Sequence, residues 1–395
     1  MSAVRQESTL PAGHHRTAVC EGEKLRILFF ADASSVHTRR WVAAAVERGA
    51  EAVVVTRLPG EVPGAREVIA LRPGGDKLGW FQAVPALRKL VRELLPRFNP
   101  HIVHGHYVTS YGMWAAACGL DRPTVLTAWG SDILVTPRES KLMRMVVKWS
   151  LRHADLITAD SLDMVEEIAQ VYHPAAPCHQ ILWGADTDKF APATPAPGFE
   201  VVSLRSWEPN YNIDTILQGF ADFAAQRPQA EPKLHLLGGG ALAETLKAQI
   251  SQLGLTERVV LHGRVGDQAM VDAIQRSRVS VSVPTSDATS VSVLESMACG
   301  LPIVASDLPA NRQWLDERGG WLVPPRDAAA LTQALLQACD HPQQLAQMGQ
   351  HNRDLIEREA SRRGQMDAMW RLYQKLLEPC VPRHQRPRPT QALRP

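Results

Sequence analysis

The stretch from Val279 to Ala305 places two strand patterns on either side of a polar loop and a helix. Apolar and polar residues alternate over Val279–Val283, which is the period of a strand, and Pro284 ends that pattern. Apolar residues then recur at helical spacing up to Gly300, namely Val291, Leu294 and Ala298. A short β-rich segment, Leu301–Ala305, follows at once. This order predicts a strand, loop, helix, strand unit of a parallel sheet, in which a ligand binds beyond the strand ends.

The polar loop of this unit carries Asp287, and the helix after it carries Glu295. The helix start offers unpaired backbone N–H groups and a positive dipole end, and both suit a phosphate. Carboxylates suit hydroxyl groups, so a nucleotide sugar, which has phosphates and hydroxyls, fits this combination. A plainer alternative stays open at this level. Ser292 to Glu295 also spells a capping box, and Asp287 is a common turn residue.

Length and composition narrow the class of protein. A chain of 395 residues with 45% hydrophobic and 21% charged residues predicts a globular protein of two domains. The formal net charge is +2, and the residues after 380 contribute +4 to it, from four arginines and no acid. The remaining residues therefore sum to about −2, which does not favour binding to nucleic acid. The six cysteines are scattered along the sequence, which favours reduced thiols. No run of residues is apolar enough for a secretory signal or a membrane span. Both observations predict a cytoplasmic location.

The first half of the chain opens with the alternation of a doubly wound α/β domain. Lys24–Phe30 indicates a strand, Thr38–Glu47 a helix and Ala52–Thr56 a second strand. The loop before the helix has small residues that let a ligand approach the backbone, and polar residues follow. We predict that this region binds an acceptor through Ser34, Ser35, His37 and Arg39. Solvated polar residues at a helix start would give the same pattern.

Two later strands of this half end in candidate substrate residues. His101–Tyr107 indicates a strand with three histidines, but further metal ligands at a fitting spacing are missing, so we predict a hydrogen-bonding role for His106 at the substrate. The strand Pro123–Ala128 leads into Trp129 and Asp132, which we predict to stack on a sugar ring and to bind hydroxyl groups. Packing of Trp129 in a domain interface is the alternative.

The helix predicted over Ser140–Arg152 has basic residues along one side and apolar residues along another. The basic residues are Lys141, Arg144, Lys148 and Arg152, and the apolar residues are Leu142, Met145 and Trp149. Such a helix suits an anionic bilayer surface, whereas a solvated charged face gives the same pattern.

Proline and glycine mark the boundaries between units. The segment 191–198 is uncharged and rich in proline, and it is predicted to link an N-terminal domain, 24–190, to a C-terminal domain, 199–360. A helix over 361–378 is predicted to pack back toward the N-terminal domain. Residues 1–23 and 379–395 are predicted to be disordered extensions.

The second half restarts the strand and helix pattern, and a glycine run, Gly238–Gly240, follows its second strand. The run fits the relaxed G-x-G-x-x-A fingerprint of dinucleotide binding, so a nicotinamide oxidoreductase is an alternative. That fingerprint also needs an acidic residue at the end of the next strand, whereas Glu257 precedes it. The turn after that strand is predicted to contact a nucleotide base through the backbone of Gly263, Arg264 and Val265.

These segments resemble the retaining glycosyltransferases of family 4, whose two Rossmann-like domains form the GT-B fold. The resemblance extends from Leu25 to Leu377. Its most specific part is the run Ser286–Asp307, which is similar to the E-x7-E segment of the family and the helix ending Met-Ala-Cys-Gly. Val103–His106 and Gly184–Phe190 are similar to secondary signatures. The implied fold class is α/β, with two doubly wound parallel-sheet domains that face a central cleft.

The resemblance also implies roles for individual residues. Glu295 would bind the ribose hydroxyls of a donor, and Arg205 would neutralise the leaving diphosphate. The diphosphate and sugar would be held by Ala288, Thr289, Ser290 and Val291. Gly238 and Asn210 complete the predicted donor site, and the predicted catalytic residues are Asp287, Arg205 and His106.

The sequence departs from the family pattern at three positions. Asp287 stands where the family has its first glutamate, so its carboxylate arm is one methylene shorter. The turn Asn210–Asn212 lacks the lysine of the family, which leaves more of the diphosphate charge to Arg205 and the helix end. Trp129 stands where many members have a histidine beside the reacting sugar.

We therefore predict a glycosyltransferase that moves a hexosyl group from a UDP- or GDP-sugar to a glycan, lipid-linked or small-molecule acceptor with retention of configuration. No metal or other cofactor is expected. A nicotinamide-dependent oxidoreductase and a non-catalytic two-domain sugar-nucleotide binding protein are the alternatives. In the cytoplasm, the helix at 140–152 would allow peripheral contact with the inner face of the membrane.

Overall fold

A computed structural model describes residues 22–72 and 77–378, which form two parallel β-sheets. The strands of the N-terminal domain are β1 (Arg26–Phe30), β2 (Glu51–Thr56), β3 (Glu67–Ala70), β4 (Ile102–His106), β5 (Thr124–Ala128), β6 (Leu156–Ala159) and β7 (Cys178–Gln180). They form a seven-stranded sheet of order β3-β2-β1-β4-β5-β6-β7. Alternate residues of β1 enter opposite cores, Leu28 and Phe30 on one face and Ile27 and Phe29 on the other. Both faces are therefore buried, as a parallel sheet requires.

Helices cover this sheet on both sides. They are α1 (Val36–Glu47), α2 (Lys77–Gln82), α3 (Val84–Leu94), α4 (Tyr111–Ala117), α5 (Ser131–Leu134), α6 (Thr136–Glu139), α7 (Lys141–Arg152) and α8 (Leu162–Glu167). Helix α8 continues as a π-helical turn over Ile168–Tyr172.

The C-terminal domain repeats the design with six strands. They are β8 (Glu200–Ser203), β9 (Lys233–Leu237), β10 (Val259–Gly263), β11 (Val279–Ser282), β12 (Ile303–Ser306) and β13 (Gly320–Val323), in the order β10-β9-β8-β11-β12-β13. The helices are α9 (Ile213–Gln226), α10 (Ala243–Gln252), α11 (Asp267–Arg276), α12 (Val291–Ala298), α13 (Pro309–Arg312), α14 (Ala328–Asp340), α15 (Pro342–Leu355) and α16 (Arg362–Leu377). A π-helical turn, Ile356–Ala360, joins α15 to α16.

Each sheet reverses its strand order at one point, between β1 and β4 in the first sheet and between β8 and β11 in the second. The loops that leave these strands separate to opposite sides of the sheet and open a crevice at the carboxyl ends. Most of the site residues described below lie at the carboxyl ends of the strands or on the helices that follow them.

The predicted fold class, two doubly wound parallel-sheet domains, is confirmed. Strand β3 lies in a Pro- and Gly-rich segment that the sequence pattern predicts to be irregular. It is an edge strand that pairs with β2 and is only half-buried, so it lacks the apolar run of a central strand. Within residues 22–72 and 77–378, no helix is long and apolar enough to cross a bilayer. The predicted extensions fall outside the described residues, except for residues 22 and 23.

The chain crosses between the domains at Gly184–Asp186, where it pairs with the segment that precedes α16. Ala185 donates to the carbonyl oxygen of Ala360 at 2.9 Å and accepts from the N–H of Arg362 at 2.8 Å. Arg362 also forms an ion pair with Asp186. The segment 191–198, predicted as a linker, lies beyond this crossing and is held to the C-terminal domain by Arg278, which donates to the carbonyl oxygens of Ala196 and Gly198. The bounds predicted for the linker and for the two domains stay a prediction.

Helix α16 lies against the N-terminal domain. The hydroxyl of Tyr373 accepts from Nε1 of Trp41 at 3.1 Å, and Asp367 pairs with Arg48 at 2.7 Å. Trp41 belongs to α1, and Arg48 is the C-cap residue of that helix. The crossing at Gly184–Asp186 and α16 thus both join the two domains.

Gly184→Ala tests the close approach at the crossing. Gly184 has a φ of +65°, and a Cβ there would lie 2.6 Å from both Cα and N of Arg362. Because backbone atoms cannot give way, we expect a loss of roughly 2–4 kcal/mol in the free energy of unfolding, measured by urea denaturation.

Gly254→Ala is the matched control. Its φ is +66°, and no atom of the described residues would lie within 4 Å of the added Cβ. This variant measures only the cost of a positive φ in an alanine residue, about 1–2 kcal/mol. Equal losses of unfolding free energy in Gly184→Ala and Gly254→Ala would contradict a tight crossing.

Candidate active site

Arg205 follows β8 and lies at the centre of the C-terminal half of the cleft. Its guanidinium donates to Oδ2 of Asp287 at 2.6 Å, to Oγ of Ser292 at 3.3 Å and to Oγ of Ser290. The ring centroid of Tyr211 lies 4.4 Å from its Cζ. The residue is 9% exposed, and its Nε has no hydrogen-bond partner within the described residues. A nearly buried cation is thereby fixed beside the start of α12.

The turn before α9 holds the loop that follows β11. Asn210 donates through Nδ2 to the carbonyl oxygen of Ser286 at 2.8 Å and accepts from its N–H at 3.2 Å. Asn212 has a φ of +48° and donates to the carbonyl oxygen of Val283 at 2.8 Å. The contact of Asn210 with the donor stays a prediction. Both polar atoms of its amide bind Ser286, so Asn210 positions the loop.

The glycine run Gly238–Gly240 packs directly against the loop that carries Arg205. A Cβ on Gly238 would collide with the carbonyl oxygen of Arg205, and a Cβ on Gly240 with that of Trp207. Trp207 donates to the carbonyl oxygen of Gly239 at 3.2 Å. The close approach of two backbone segments therefore explains the dinucleotide-like pattern. Gly238, which is predicted to bind the donor, packs against the backbone of Arg205.

Helix α12 begins at Val291, with Ser290 as its N-cap residue. Glu295 is the fifth helical residue, too far along for the capping box, and that alternative is wrong. Its carboxylate accepts a hydrogen bond from Nη1 of Arg40 at 3.3 Å, so it faces the N-terminal domain. Burial raises the pKa of Glu295 from 4.5 to about 7, although the charge of Arg40 acts in the opposite direction.

Arg40 replaces Arg39 as the cationic residue of α1 in the cleft. The helix begins at Val36, two residues before its predicted start. Arg39 is exposed and reaches only the carbonyl oxygen of Ser34, at 3.5 Å, so its predicted role is corrected. Arg40 follows His37 by three residues and therefore shares a helix face with it, a spacing that a correct helix start would have revealed.

The two predicted loop serines have local partners. Ser35 is the N-cap of α1 and accepts from the N–H of His37 at 3.2 Å. Ser34 is exposed, and its hydroxyl donates to Oδ1 of Asp32 at 2.7 Å. Ser35 is thus used in capping, while Ser34 stays at the surface of the predicted acceptor loop.

Imidazole and indole rings pack together at the carboxyl end of β4. The ring centroid of His106 lies 5.2 Å from that of Trp41 and 5.4 Å from that of Trp129. The ring centroid of His37 lies 4.4 Å from that of Trp183 and 5.5 Å from that of Trp129. Burial lowers the pKa of His37 to about 4 and that of His106 to about 3. Both imidazoles are therefore neutral at physiological pH.

Several buried polar atoms of this cluster have no hydrogen-bond partner in the part of the chain that the structure describes. They are Nδ1 and Nε2 of His106, Nδ1 of His37, Oγ1 of Thr38 and Nε1 of Trp129. Buried polar groups are nearly always hydrogen-bonded, so this concentration indicates where a polar ligand or water is received. The ring of His104, in contrast, bonds to Oη of Tyr373 at 2.6 Å and Oγ1 of Thr127 at 2.7 Å.

Asp132 stabilises the loop that follows β5. Its Oδ1 accepts from the N–H of Trp129 at 2.9 Å and its Oδ2 from the N–H of Val108 at 2.7 Å, and the side chain is fully buried. The prediction that Asp132 binds hydroxyl groups is therefore wrong. Trp129 keeps a partly exposed ring, whose centroid lies 4.5 Å from that of Trp183. Its stacking on a sugar stays a prediction.

The two domains approach each other where the loops after β5 and β11 meet. A Cβ on Gly130 would lie 3.3 Å from the Cβ of Ala288. Thr289 is buried, and its Oγ1 has no hydrogen-bond partner in residues 22–72 and 77–378. Asp160, at the end of β6, is a buried carboxyl close to Asp287 that the sequence analysis does not single out. A single polar residue before a helix cap gives no periodic signal.

The turn Gly263–Val265, at the end of β10, borders the glycine run. A Cβ on Gly239 would lie 3.3 Å from Cγ of Arg264, which is exposed. This places the turn beside the loop that supports Arg205, and its contact with a nucleotide base stays a prediction. In the described ranges, no group of three His, Cys, Asp or Glu side chains is placed to hold a metal ion.

Comparison with known proteins identifies the family. Residues 26–161 match a profile described as glycosyl transferase 4-like, and residues 185–355 match the glycosyl transferases group 1. Together the two matches span most of the chain. This chain belongs to the GT4-like glycosyltransferases of the GT-B fold.

Curated relatives of this GT4-like chain are moderately similar to it. The D-rhamnosyltransferase WbpZ of Pseudomonas aeruginosa is 29% identical over 245 residues, which are 59% of this chain and 62% of that protein. The GDP-mannose-dependent alpha-(1-6)-phosphatidylinositol monomannoside mannosyltransferase of Mycolicibacterium smegmatis is 27% identical over 215 residues, 50% of this chain and 56% of that protein. The chain thus spans about three fifths of the length of these relatives.

Solved structures share nearly the whole architecture of this GT4-like chain. Sucrose-phosphate synthase from Thermosynechococcus elongatus has a TM-score of 0.75 at 18% identity and covers 89% of this chain and 99% of its own. Anabaena Alr3699/HepE in complex with UDP has a TM-score of 0.74 at 18% identity, with coverage of 89% and 100%. These likenesses confirm the two-domain fold.

The raised pKa of Glu295 predicts a stability difference that depends on pH. The folded protein keeps the proton up to about pH 7, whereas the unfolded chain releases it near 4.5. The stability contributed by the uncharged group is present below that lower value and is lost as the pH rises through the folded value. Glu295→Gln abolishes this loss, so its melting temperature relative to wild type should increase between about pH 5 and 8, equivalent to at most roughly 3 kcal/mol.

Scanning fluorimetry of both proteins across this range makes the measurement. Glu166→Gln, at an exposed position of α8, is the control for removal of a carboxylate. A melting-temperature difference that stays constant for Glu295→Gln would contradict the burial of its carboxyl group.

Proposed function

We propose that the protein transfers a hexosyl group from a nucleoside diphosphate sugar to an acceptor with retention of anomeric configuration. The observation that carries this proposal is the placement of Arg205 at the start of α12, bonded to Ser290 and Asp287. A fixed cation and helix N–H groups suit a diphosphate, and nearby carboxylates suit sugar and ribose hydroxyls. The family membership of both halves of the chain supports the same reaction.

The chemistry follows from the charge that develops on the leaving diphosphate. The bond between the anomeric carbon and the phosphate oxygen breaks, and the acceptor oxygen bonds to that carbon on the same face. The acceptor's proton passes to the leaving phosphate, so no protein nucleophile is required. Arg205 and the positive end of α12 stabilise the diphosphate, and Arg205 carries more of this load because the turn Asn210–Asn212 has no lysine.

Glu295 is proposed to accept hydrogen bonds from the ribose hydroxyls in exchange for its bond to Arg40. The donor base is uracil or guanine. A HepE structure contains UDP-glucose, and the Mycolicibacterium relative is named as GDP-mannose-dependent. Scanning fluorimetry with both kinds of nucleotide sugar distinguishes the two, because a ligand that binds only the folded state raises its melting temperature.

The acceptor is proposed to enter from the N-terminal domain, beside His37, His106 and Trp129. The unpaired polar atoms of these residues support the binding of hydroxyl groups, as in a glycan, a lipid-linked sugar or a small polyol. Neutral imidazoles can accept or donate a hydrogen bond to such groups without adding charge. We propose that His106 orients the attacking hydroxyl and that domain closure excludes water.

Arg205→Ala should lower kcat by about 10²–10³-fold, because it removes the fixed donor to the leaving diphosphate. Arg205→Lys keeps the charge without the fork and should recover part of the rate. Release of nucleoside diphosphate from UDP-glucose and GDP-mannose is measured with EDTA present. We propose that no bound metal is needed, since Arg205 and the helix end supply the positive charge.

Arg227→Ala is the control, because this arginine pairs with Asp340 at 2.7 Å on the far side of the C-terminal domain. Turnover by Arg205→Ala at the wild-type rate would contradict the assigned site. Turnover that EDTA stops and Mg²⁺ restores would contradict the metal-free reaction.

We also propose that α7 docks the protein on an anionic bilayer surface at the cytoplasmic face. The apolar side chains that α7 buries are Met143, Val146, Val147 and Leu151, and Ser150 is buried beside them. Leu142, Met145 and Trp149 are instead 55%, 68% and 40% exposed, on the same side as the basic residues rather than on a separate apolar side. Exposed apolar side chains among cations support insertion at a charged lipid interface.

Liposome pelleting tests this contact, with phosphatidylcholine vesicles that contain or lack phosphatidylglycerol. The double variant Met145→Ser, Trp149→Ser should bind the anionic vesicles about tenfold more weakly, because it loses apolar area. Leu58→Ser is the control, because Leu58 is also an exposed apolar residue, with 56% of its surface accessible, and it lies outside α7. The membrane proposal would be contradicted if wild type pelleted equally with both vesicle types. It would also be contradicted if the double variant pelleted with anionic vesicles as well as wild type does.

A further inference from the structure

Asp160 is a buried carboxyl that the chemistry above does not use. It follows β6, directly before Ser161, the N-cap of α8. The residue is 5% exposed, and its Oδ1 has no hydrogen-bond partner in the part of the chain covered by residues 22–72 and 77–378. A buried carboxyl oxygen left without a donor lowers stability, so its presence calls for a ligand that provides one.

Neighbouring aspartates of the same region are satisfied by the protein itself. Asp132 accepts two backbone N–H groups, from Trp129 and Val108. Asp287 accepts from the guanidinium of Arg205. Asp160 differs from both, although it lies close enough to feel their negative charges.

The surroundings of Asp160 belong to both domains. Gln180 donates to the carbonyl oxygen of Asp160 at 3.5 Å and exchanges two hydrogen bonds of 3.0 Å with Gln313 of the C-terminal domain. The N–H of Leu162 also donates to Gln313, at 3.3 Å. Asp160 is thus part of the wall where the N-terminal domain meets the end of α13 in the C-terminal domain.

Burial and the charges of Asp287 and Asp132 raise the pKa of Asp160 well above its ordinary value. A carboxyl group offers oxygens to a hydroxyl, and Asp160 lies close enough to Asp287 to feel its negative charge. A sugar hydroxyl both donates and accepts a hydrogen bond, so it matches such a pair.

We propose that Asp160 is a sugar-recognition residue, whose carboxyl group hydrogen-bonds a hydroxyl of the transferred sugar that Asp287 holds from the opposite domain. The inference rests on the proposed function and assigns to the N-terminal domain a direct contact with the donor sugar. Because the two carboxyls lie on different domains, the sugar engages both only when the cleft is closed. A nucleoside diphosphate without the sugar does not reach Asp160.

The test compares the binding of UDP with UDP-glucose, and of GDP with GDP-mannose, by titration calorimetry. Asp160→Ala should weaken binding of the nucleotide sugar about tenfold and leave binding of the nucleoside diphosphate within about twofold. Asp160→Asn keeps a donor and an acceptor and should restore most of the affinity. Glu166→Gln on α8 controls for the loss of a carboxyl.

Nucleotide sugars that lack one hydroxyl provide a second measurement that does not depend on the folding of a variant. One such deoxy donor should lack the hydroxyl that Asp160 binds. Wild type should bind this donor as weakly as Asp160→Ala binds the complete donor, and Asp160→Ala should bind the two donors with equal affinity. Asp160→Ala should also melt at or above the wild-type temperature, because it removes no protein hydrogen bond from Oδ1.

Two results would overturn the inference. One is unchanged nucleotide-sugar affinity in Asp160→Ala, including the case in which only the KM for the acceptor rises. The other is an equal loss for the nucleoside diphosphate and its sugar, which would indicate a general structural role. If wild type binds no nucleotide sugar at all, the proposed function itself fails, and that outcome is distinct from both.

Discussion

The ion pair between Arg205 and Asp287 holds together the two loops that leave the central strands of the C-terminal sheet. A guanidinium beside the start of α12 adds positive charge to the positive end of a helix dipole. Asp287 supplies a carboxylate that accepts a hydrogen bond from this guanidinium. The glycine run packs against the backbone that carries Arg205, and the asparagine turn holds the loop that carries Asp287.

The two sides of the cleft differ in chemical character. The C-terminal side presents charge, through Arg205, Asp287 and Glu295. The N-terminal side presents neutral imidazole and indole rings, because burial keeps His37 and His106 uncharged. Arg40 is one contact between them, since it belongs to α1 and binds Glu295. This division suits a reaction in which a charged leaving group stays on one domain while a hydroxyl nucleophile arrives from the other.

Much of this arrangement follows from the sequence, and the failures have identifiable causes. The buried strands β2 and β5 match the predicted segments Ala52–Thr56 and Pro123–Ala128 to within one residue, because apolar runs between turn signals are typical of buried strands. The predicted start of α1 was two residues late, and the arginine chosen for the cleft was therefore Arg39 instead of Arg40. Asp132 follows a strand as a substrate-binding aspartate would, and only the backbone N–H groups around it reveal its structural task. The importance of Asp160 depends on what is missing around it, and sequence patterns carry no such information.

The account depends most on the claim that this cleft transfers a sugar with retention. Incubation of the protein with nucleotide sugars labelled at the anomeric carbon, together with a panel of glycan and polyol acceptors, addresses it directly. Nuclear magnetic resonance then follows the labelled carbon from donor to product. The account predicts release of the nucleoside diphosphate and a product whose anomeric configuration equals that of the donor. A product of inverted configuration, or no release of nucleoside diphosphate from any donor, would contradict it.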